Sequence, residues 1–208
     1  MQGHMIRKLL LPLCAVAALT TASCTTTGGL ASGGGTLYLQ GLGPDPVDVN
    51  GTALAIDTVS YWDGANLAGT PRIRINLAEQ KAYFYKGGTL AGVSMISSGR
   101  DTQATPRGSY TIMEKLVDKR SNLYGTIEDS MGNVIATDVD VRTAQIPPGH
   151  RFVGAPMPYW MRLTSSGVGM HAGFLPGYNA SRGCIRLPEH MVIEFFNHAP
   201  LGTRVTIE

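Results

Sequence analysis

Polar and apolar residues alternate along much of the chain after residue 70, which is the pattern of half-buried β-strands. The alternation is clearest over residues 72–77, where Ile73 and Ile75 lie between arginines. Gly87 and Gly88 form a good hairpin turn between two further strand signals. The predicted strands are residues 72–77, 82–86, 89–97, 109–115, 133–141, 160–164, 167–171 and 203–207, with a weaker signal over 52–61.

Helical periodicity is clear in one segment only. Pro188 suits a first helical turn, and an apolar stripe follows it. The stripe consists of Met191, Val192, Phe195 and Phe196. Residues 143–158 contain several prolines and are predicted to form a loop or lid. The pattern predicts a mainly β body of the sandwich or barrel type with one late helix.

The N-terminal residues have the pattern of an export signal. Arg7 and Lys8 precede an apolar run over residues 9–19, which is too short for an ordinary membrane-spanning helix. Small residues then lead to Cys24, as in bacterial lipoprotein signals. We therefore predict a lipoprotein signal peptide at 1–24, whose first four residues look like a cloning remnant. The alternative is an ordinary cleaved signal.

The segments after Cys24 complete the predicted organisation. Residues 25–35 are mostly Thr, Gly and Ser and are predicted to be a flexible tether, and 36–70 an N-terminal extension of unknown role. The folded body is predicted at 71–208. This arrangement predicts a cell-envelope protein of the periplasm that is anchored to a membrane through a lipid on Cys24.

Charge and cysteine usage narrow the possible functions. The chain has 17 Lys and Arg against 15 Asp and Glu, and Arg7 and Lys8 lie in the signal, so the mature chain is formally neutral. This gives no electrostatic case for binding nucleic acid. Of the three cysteines, Cys14 and Cys24 lie in the signal, which leaves Cys184 without a partner for a disulfide framework. Cys184 is then either an inert buried thiol or a reactive one.

His171 and Cys184 are a candidate base and nucleophile, thirteen residues apart. A thiol needs a base or a cationic neighbour to react near neutral pH, and an ion pair with His would favour the thiolate. Gly183 removes side-chain bulk beside Cys184, so that backbone N–H groups can face an oxyanion. Arg186 could bind a carboxylate or brace the loop. One Cys and one His do not complete a zinc site, so no metal is predicted.

The segment Ser181-Arg182-Gly183-Cys184-Ile185-Arg186-Leu187, preceded by His171-Ala172-Gly173, resembles the active-site signature of the L,D-transpeptidase catalytic domain (YkuD) family. The resemblance covers about residues 71–208. It also includes residues 72–77, 83–85, 97–99 and 105–108. One position departs from the family pattern, because Ala172 stands where Gly usually follows the His.

The resemblance implies a mainly β fold of the sandwich type and action on peptidoglycan stem peptides. The Cys would attack the amide before a terminal D-Ala, and an amine would take the acyl group from the resulting acyl-enzyme. The implied catalytic residues are Cys184, His171, Ser181 and Gly183. The proposed substrate-binding residues are Arg186, Arg182, Ala172, Gly173 and Tyr159, the last because it lies just before the His171 strand. No cofactor is expected, and the protein is predicted to be a monomer.

Other interpretations remain open. Sortase-like enzymes also order His, Cys and Arg, but at different spacings, and papain-like peptidases place Cys before His. The chain could be an L,D-carboxypeptidase that uses water as the acceptor. It could also be a lipid-anchored wall-binding domain that has lost turnover, an alternative that the Ala172 departure keeps open.

Overall fold

The computed structural model describes residues 57–208. The predicted signal 1–24 with Cys24, the tether 25–35 and residues 36–56 of the extension lie outside the described residues, and so does most of the weak strand signal at 52–61. Within residues 57–208, no helix is long and apolar enough to cross a membrane.

The described chain forms thirteen strands, one α-helix and a short 3-10 helix. The strands are β1 Tyr61–Trp62, β2 Pro71–Asn76, β3 Lys81–Lys86, β4 Thr89–Met95, β5 Gly108–Thr111, β6 Glu114–Leu116, β7 Arg120–Glu128, β8 Val134–Asp140, β9 Arg151–Pro156, β10 Trp160–Arg162, β11 Gly169–Ala172, β12 Ile185–Leu187 and β13 Arg204–Ile207. The α-helix α1 is Glu189–His198, and the 3-10 helix is Asp101–Gln103. The predicted mainly β fold with one late helix is confirmed.

The largest sheet has six strands in the order β1-β4-β3-β2-β13-β5. The alternation seen in the sequence sets its two faces, because Ile73 and Ile75 of β2 are buried while Arg72 and Arg74 face outward. β13 pairs in parallel with β2 and antiparallel with β5. The predicted extension contributes to this sheet through β1, which pairs with β4 at its edge.

The prediction of a single strand at 109–115 is wrong in one respect, because these residues form two strands, β5 and β6. The break allows the chain to pass from the six-stranded sheet to a four-stranded sheet of order β12-β11-β10-β6. At the junction Ile112 N–H donates to Thr203 O at 3.0 Å, and Met113 N–H donates to Arg162 O at 2.9 Å. Adjacent residues therefore bond to different sheets, which no local alternation reveals.

A third sheet, of order β8-β7-β9, corrects the prediction of a loop or lid over residues 143–158. Residues 151–156 of that segment form β9 and pair with β7, which the sequence did not predict. The two strands approach closely: a Cβ on Gly154 would lie 1.9 Å from Ser121 O, and one on Gly125 would lie 2.0 Å from Val153 O. Glycine is depleted in ordinary strands, so the sequence signal here is weak, but at these two positions only glycine allows the strands to approach so closely.

Helix α1 packs its apolar stripe on the core between the sheets. Pro188 has φ −57° and precedes the first helical residue, and the acidic Glu189 lies in the first turn, where the helix dipole favours it. Met191, Val192 and Phe195 are buried in the same cluster as the inner residues of the sheets. The core thus supports β11 and β12 from one side and leaves their other side for the site described next.

Candidate active site

The parallel pairing of β11 and β12 brings the two chemically informative segments together. Met170 lies opposite Ile185, and His171 lies opposite Arg186. Met170 and Ile185 are fully buried in the core. Because successive side chains point to opposite faces of a strand, His171 and Arg186 face away from that core. Cys184 directly precedes β12, two residues from Arg186, and therefore lies on the same side as His171.

This face borders a cavity of about 450 Å³. Five of the predicted site residues line it, namely His171, Ser181, Arg182, Cys184 and Arg186. Other lining residues come from β7, β9 and β10, including Tyr124, Ala155 and Trp160. Among the described residues that line the cavity, Lys119, Arg142, Arg162, Arg182 and Arg186 are basic and none is acidic. Arg142, Arg162 and Arg182 pair with carboxylates outside the lining.

The ring of His171 has a defined tautomer. Its Nδ1 lies 2.7 Å from Ala172 O, and because a carbonyl can only accept, Nδ1 carries the proton. Burial lowers the pKa of His171 to about 4; the bond to Ala172 opposes that shift and the charge of Arg186 adds to it. The neutral ring therefore has a free lone pair on Nε2, and this nitrogen can accept a proton as a base.

The departure at Ala172 is accommodated by the core. Ala172 is 3% exposed, lies opposite Leu187, and belongs to the hydrophobic cluster. Its methyl group thus occupies space on the core side of β11, while its carbonyl orients His171. A side chain at this position does not displace the carbonyl that the site uses.

The surroundings of Cys184 favour its neutral thiol form. Burial raises the pKa of its thiol; a hydrogen bond from the Gly169 backbone and the charge of Arg186 act in the opposite direction. The thiol Sγ lies 3.7 Å from Gly167 O, which can accept its proton. Burial lowers the pKa of His171 and raises that of Cys184, so it penalises both members of the ion pair considered from the sequence.

The turn at residues 181–184 is organised around Ser181. This side chain is 1% exposed, donates its hydroxyl proton to Cys184 O, and accepts the Gly183 N–H at 3.2 Å. Gly183 has φ +107°, a conformation that residues with a Cβ rarely adopt. The Gly183 N–H, which the sequence suggested for an oxyanion hole, is therefore engaged by Ser181 here.

The turn is held in place by residues 97–99 and 105–108, two segments that the family resemblance also includes. Ser97 and Arg186 exchange backbone hydrogen bonds at 3.0 Å, and Ser181 N–H donates to Ser98 O at 2.9 Å. The Thr105 hydroxyl accepts the Gly99 N–H at 2.8 Å and donates to Gly183 O at 2.9 Å. The sequence did not assign Thr105 a role, although its place in the motif at 105–108 was a signal.

Arg182 connects the turn to the third sheet. It pairs with Asp138 Oδ2 at 2.7 Å and lies over the ring of Tyr124, 4.4 Å from the centroid. Arg142 binds the Tyr124 hydroxyl at 3.0 Å. The sequence missed Tyr124 because β7 itself was not predicted, and it gave no signal for Arg142, which lies in the turn after β8. Arg182 is thus committed to contacts within the protein as well as to the cavity wall.

The remaining predicted residues lie beside the cavity or away from it. The aliphatic part of the Arg186 side chain packs against the backbone of Gly173. A Cβ at this position would lie 3.0 Å from Arg186 Cγ and Cδ, so a larger residue would crowd it. Arg186 Nη1 donates to Phe174 O at 3.4 Å. Tyr159, which was expected to line the cleft, instead packs its ring on Phe196 of α1, with 5.7 Å between centroids. Its neighbour Trp160 is 1% exposed and contributes to the cavity wall.

The depressed pKa of His171 predicts a loss of stability in acid. The fold favours the neutral ring, so this contribution is fully present above the unfolded pKa of about 6.5 and is lost as pH falls to the folded pKa of about 4. The loss should amount to about 3 kcal/mol. Urea unfolding near pH 7 and near pH 4 measures it, with His171→Gln for comparison. Equal acid sensitivity in both proteins would contradict the prediction.

No three His, Cys, Asp or Glu side chains within residues 57–208 come together as a set of metal ligands. Three of the five basic side chains at the cavity are partly neutralised by ion pairs with carboxylates outside the lining. The arrangement provides a thiol, a base of defined tautomer and several basic side chains in one cavity.

Comparisons with known proteins agree with this geometry. Residues 70–207 match the profile of the L,D-transpeptidase catalytic domain, YkuD. The chain is 32% identical over 140 residues to the Salmonella typhimurium protein described as "Probable L,D-transpeptidase ErfK/SrfK", covering 65% of this chain and 43% of that protein. It is 26% identical over 193 residues to a Bacillus licheniformis protein of the name YkuD, covering 91% of this chain and 84% of the relative.

Solved structures show the same fold. The structure of an L,D-transpeptidase from Mycobacterium smegmatis superimposes with a TM-score of 0.50 at 19% identity, covering 67% of this chain and 59% of that chain. LdtMt1, solved in complex with imipenem, gives a TM-score of 0.50 at 18% identity, with the same coverages of 67% and 59%. The chain therefore spans less than two thirds of these two structures and less than half of the Salmonella relative.

Proposed function

The chain belongs to the L,D-transpeptidase catalytic domain (YkuD) family, and on that premise we propose that it acts on peptidoglycan stem peptides with Cys184 as nucleophile and His171 as base. The observation that carries the proposal is the parallel pairing of β11 with β12, because it puts both side chains on one face and in one cavity. The proposed reaction cleaves the amide before a terminal D-Ala and transfers the acyl group to an amine.

The first half-reaction forms a thioester. As Cys184 Sγ bonds to the substrate carbonyl carbon, its proton moves to His171 Nε2, the nitrogen left by the bond of Nδ1 to Ala172. The Cys184 N–H stabilises the oxyanion, since the Gly183 N–H is engaged by Ser181. The C–N bond then breaks, and D-Ala leaves as an amine that takes the proton from Nε2.

The second half-reaction releases the enzyme. An acceptor amine attacks the thioester, His171 Nε2 takes the proton of the amine, and the thiol is reprotonated as the C–S bond breaks. The lone pair of His171 Nε2 lets it act as a general base during the attack. Water in place of the amine would make the protein an L,D-carboxypeptidase.

The charge of the cavity supports an anionic donor. Stem peptides carry free carboxylates, and five basic side chains of the described residues, but no acidic one, line this cavity, although Arg142, Arg162 and Arg182 already pair with carboxylates outside the lining. Arg186 is the basic side chain nearest the pair in register, since it lies opposite His171. A substrate carboxylate in this cavity would lie near Arg186 and other basic side chains, which favours binding.

Incubation with a disaccharide tetrapeptide that ends in D-Ala tests the proposal. Mass spectrometry should show loss of D-Ala together with a cross-linked or exchanged product, and Cys184→Ala should give neither. Tripeptide as the only product would identify a carboxypeptidase. No product from the unaltered protein would refute the enzyme and favour the wall-binding alternative.

The proposed anchoring concerns residues outside the structure. We propose that Cys24 carries a lipid that holds the protein at a membrane of the cell envelope, and that the protein acts as a monomer. The support is the sequence of residues 1–35, with its short apolar run and its Thr-, Gly- and Ser-rich tether.

A further inference from the structure

Strand β8 contains a β-bulge near the cavity. On β7 one residue, Thr126, separates two residues that are paired with β8, whereas on β8 two residues, Thr137 and Asp138, separate their partners. Asp138 has φ +55°, in the left-handed region that residues other than glycine uncommonly enter. Bulges are frequent next to active sites, where they re-aim a side chain. The question is therefore what Asp138 is aimed at.

Asp138 binds Arg182 through two of its own atoms. Arg182 Nη2 lies 2.7 Å from Asp138 Oδ2 and donates a hydrogen bond to Asp138 O at 3.0 Å. The carbonyl and the carboxylate of one residue face the same guanidinium group because the bulge turns the backbone at this point. A sparsely populated backbone conformation persists where its surroundings stabilise it, and the two contacts with Arg182 do so here.

The other side of the Arg182 guanidinium group is held by Tyr124. The guanidinium carbon lies over the Tyr124 ring, 4.4 Å from the centroid. The hydroxyl of Tyr124 is fixed in turn, because it accepts hydrogen bonds from Gln103 Nε2 at 3.1 Å and from Arg142 Nη2 at 3.0 Å. The Arg182 side chain is only 11% exposed. Arg182 is therefore clamped between β7 and β8.

Arg182 also belongs to the turn that carries the nucleophile. It lies between Ser181, whose hydroxyl binds Cys184 O and the Gly183 N–H, and Gly183, whose φ is +107°. A movement of the Arg182 backbone would therefore change the direction of the Cys184 N–H and of its thiol. The contact with Asp138 thus connects the third sheet to the nucleophile across 44 residues of sequence.

Folding stability is a weak reason for this arrangement. The Asp138 side chain is 60% exposed, and ion pairs of exposed carboxylates contribute little to stability. The positive φ of Asp138 has an energetic cost of its own. Asp138 is not among the residues that line the cavity, so direct contact with a substrate does not explain it either. What remains is its effect on Arg182 and the turn.

We propose that Asp138 is a positioning residue for the reaction. It holds Arg182, and through Arg182 it fixes the Cys184 N–H and thiol in the geometry that attack on a carbonyl requires. This inference rests on the function proposed for Cys184. It also gives Arg182 a role different from the one implied by the family resemblance: the guanidinium group orders the turn and does not serve as the main partner of a substrate carboxylate.

Asp138→Asn tests this role with little disturbance of the backbone. Asparagine adopts the same positive φ and has the same shape, so the substitution removes only the charge. We expect kcat for D-Ala release to fall about tenfold while KM stays within about twofold, because the substrate does not touch Asp138. The matched control is Glu128→Gln, which breaks the ion pair with Arg151 in the same sheet, outside the cavity lining, and should change neither constant.

Variants of Arg182 show whether the two residues act together. If Asp138 acts only through Arg182, the double variant Asp138→Asn/Arg182→Gln should be no slower than Arg182→Gln alone. Arg182→Lys keeps the charge beside Asp138 and should recover part of the rate that Arg182→Gln loses. Rate losses that multiply in the double variant would overturn the proposal. An unchanged kcat in Asp138→Asn, or a raised KM with an unchanged kcat, would do the same.

Amide hydrogen exchange tests the positioning without any substrate. The amides of Gly183 and Cys184 should exchange about tenfold faster in Asp138→Asn than in the unaltered protein or in Glu128→Gln, with the same urea midpoint in all three. Should the unaltered protein release no D-Ala, faster exchange would still show that Asp138 orders the turn, so failure of the proposed function is recognised separately. Equal exchange in the three proteins, or faster exchange throughout Asp138→Asn with a lower urea midpoint, would overturn the inference.

Discussion

Replacement of His171 by Gln is expected to slow acyl-enzyme formation by about 10³-fold or more, because the thiol of Cys184 then has no base. The effect should be large since burial raises the pKa of this thiol, so that little thiolate exists at neutral pH without proton transfer. The measurement is the rate of D-Ala release from a tetrapeptide donor under single-turnover conditions.

The pH profile distinguishes a lost base from a disturbed fold. In His171→Gln the residual rate should rise steeply with pH, because hydroxide alone then generates the thiolate. His150 provides the matched control: its Nδ1 also contacts a backbone carbonyl, at 3.0 Å from Pro148 O, but it lies outside the cavity lining. His150→Gln should leave the rate unchanged. A His171→Gln enzyme within tenfold of the unaltered rate would remove His171 from the mechanism.

Replacement of Gly183 by Ala is expected to reduce kcat by about 10²- to 10³-fold. A Cβ has space here, since its nearest neighbours would be Gln103 O at 3.7 Å and Val168 Cγ2 at 3.8 Å. The cost is therefore conformational, because φ +107° strains a residue with a side chain. The turn would relax and move the Cys184 thiol and N–H away from the geometry that Ser181 and Thr105 now fix.

Gly132→Ala is the matched control for this change. Gly132 also has a positive φ, of +87°, and also has open space at the Cβ position, but it lies in the turn between β7 and β8. Both variants should lose about 1–3 kcal/mol of unfolding free energy in urea. Only Gly183→Ala should lose activity. An active Gly183→Ala enzyme with the same stability loss would show that the turn tolerates rearrangement.

The candidate site was predictable where its residues are close in sequence. The motif around His171 and Cys184, through its resemblance to the L,D-transpeptidase signature, singled out two residues that the fold brings to one cavity, because β11 and β12 are short and joined by a single connection. The core strands were also predictable, since Ile73 and Ile75 alternate with exposed arginines. These are local signals that tertiary contacts reinforce.

The third sheet and the remaining parts of the cavity wall depend on contacts that the local sequence does not encode. β7 and β9 pair through Gly125 and Gly154, and glycine lowers the strand signal. Consequently Tyr124 could not be assigned to the cavity wall. Tyr159 was placed wrongly because its position before β11 says nothing of the helix against which it packs. The raised pKa of Cys184 follows from burial, which only the assembled fold determines.

The position of β13 has a consequence for how the protein is made. This strand lies inside the six-stranded sheet, between β2 and β5, although it is the last of the strands within residues 57–208. A growing polypeptide on the ribosome therefore cannot complete the sheet before residues 204–207 have been synthesised. Until then β2 and β5 present unpaired edges, so premature termination would yield aggregation-prone fragments. Folding of this domain is consequently a late event that depends on long-range strand pairing.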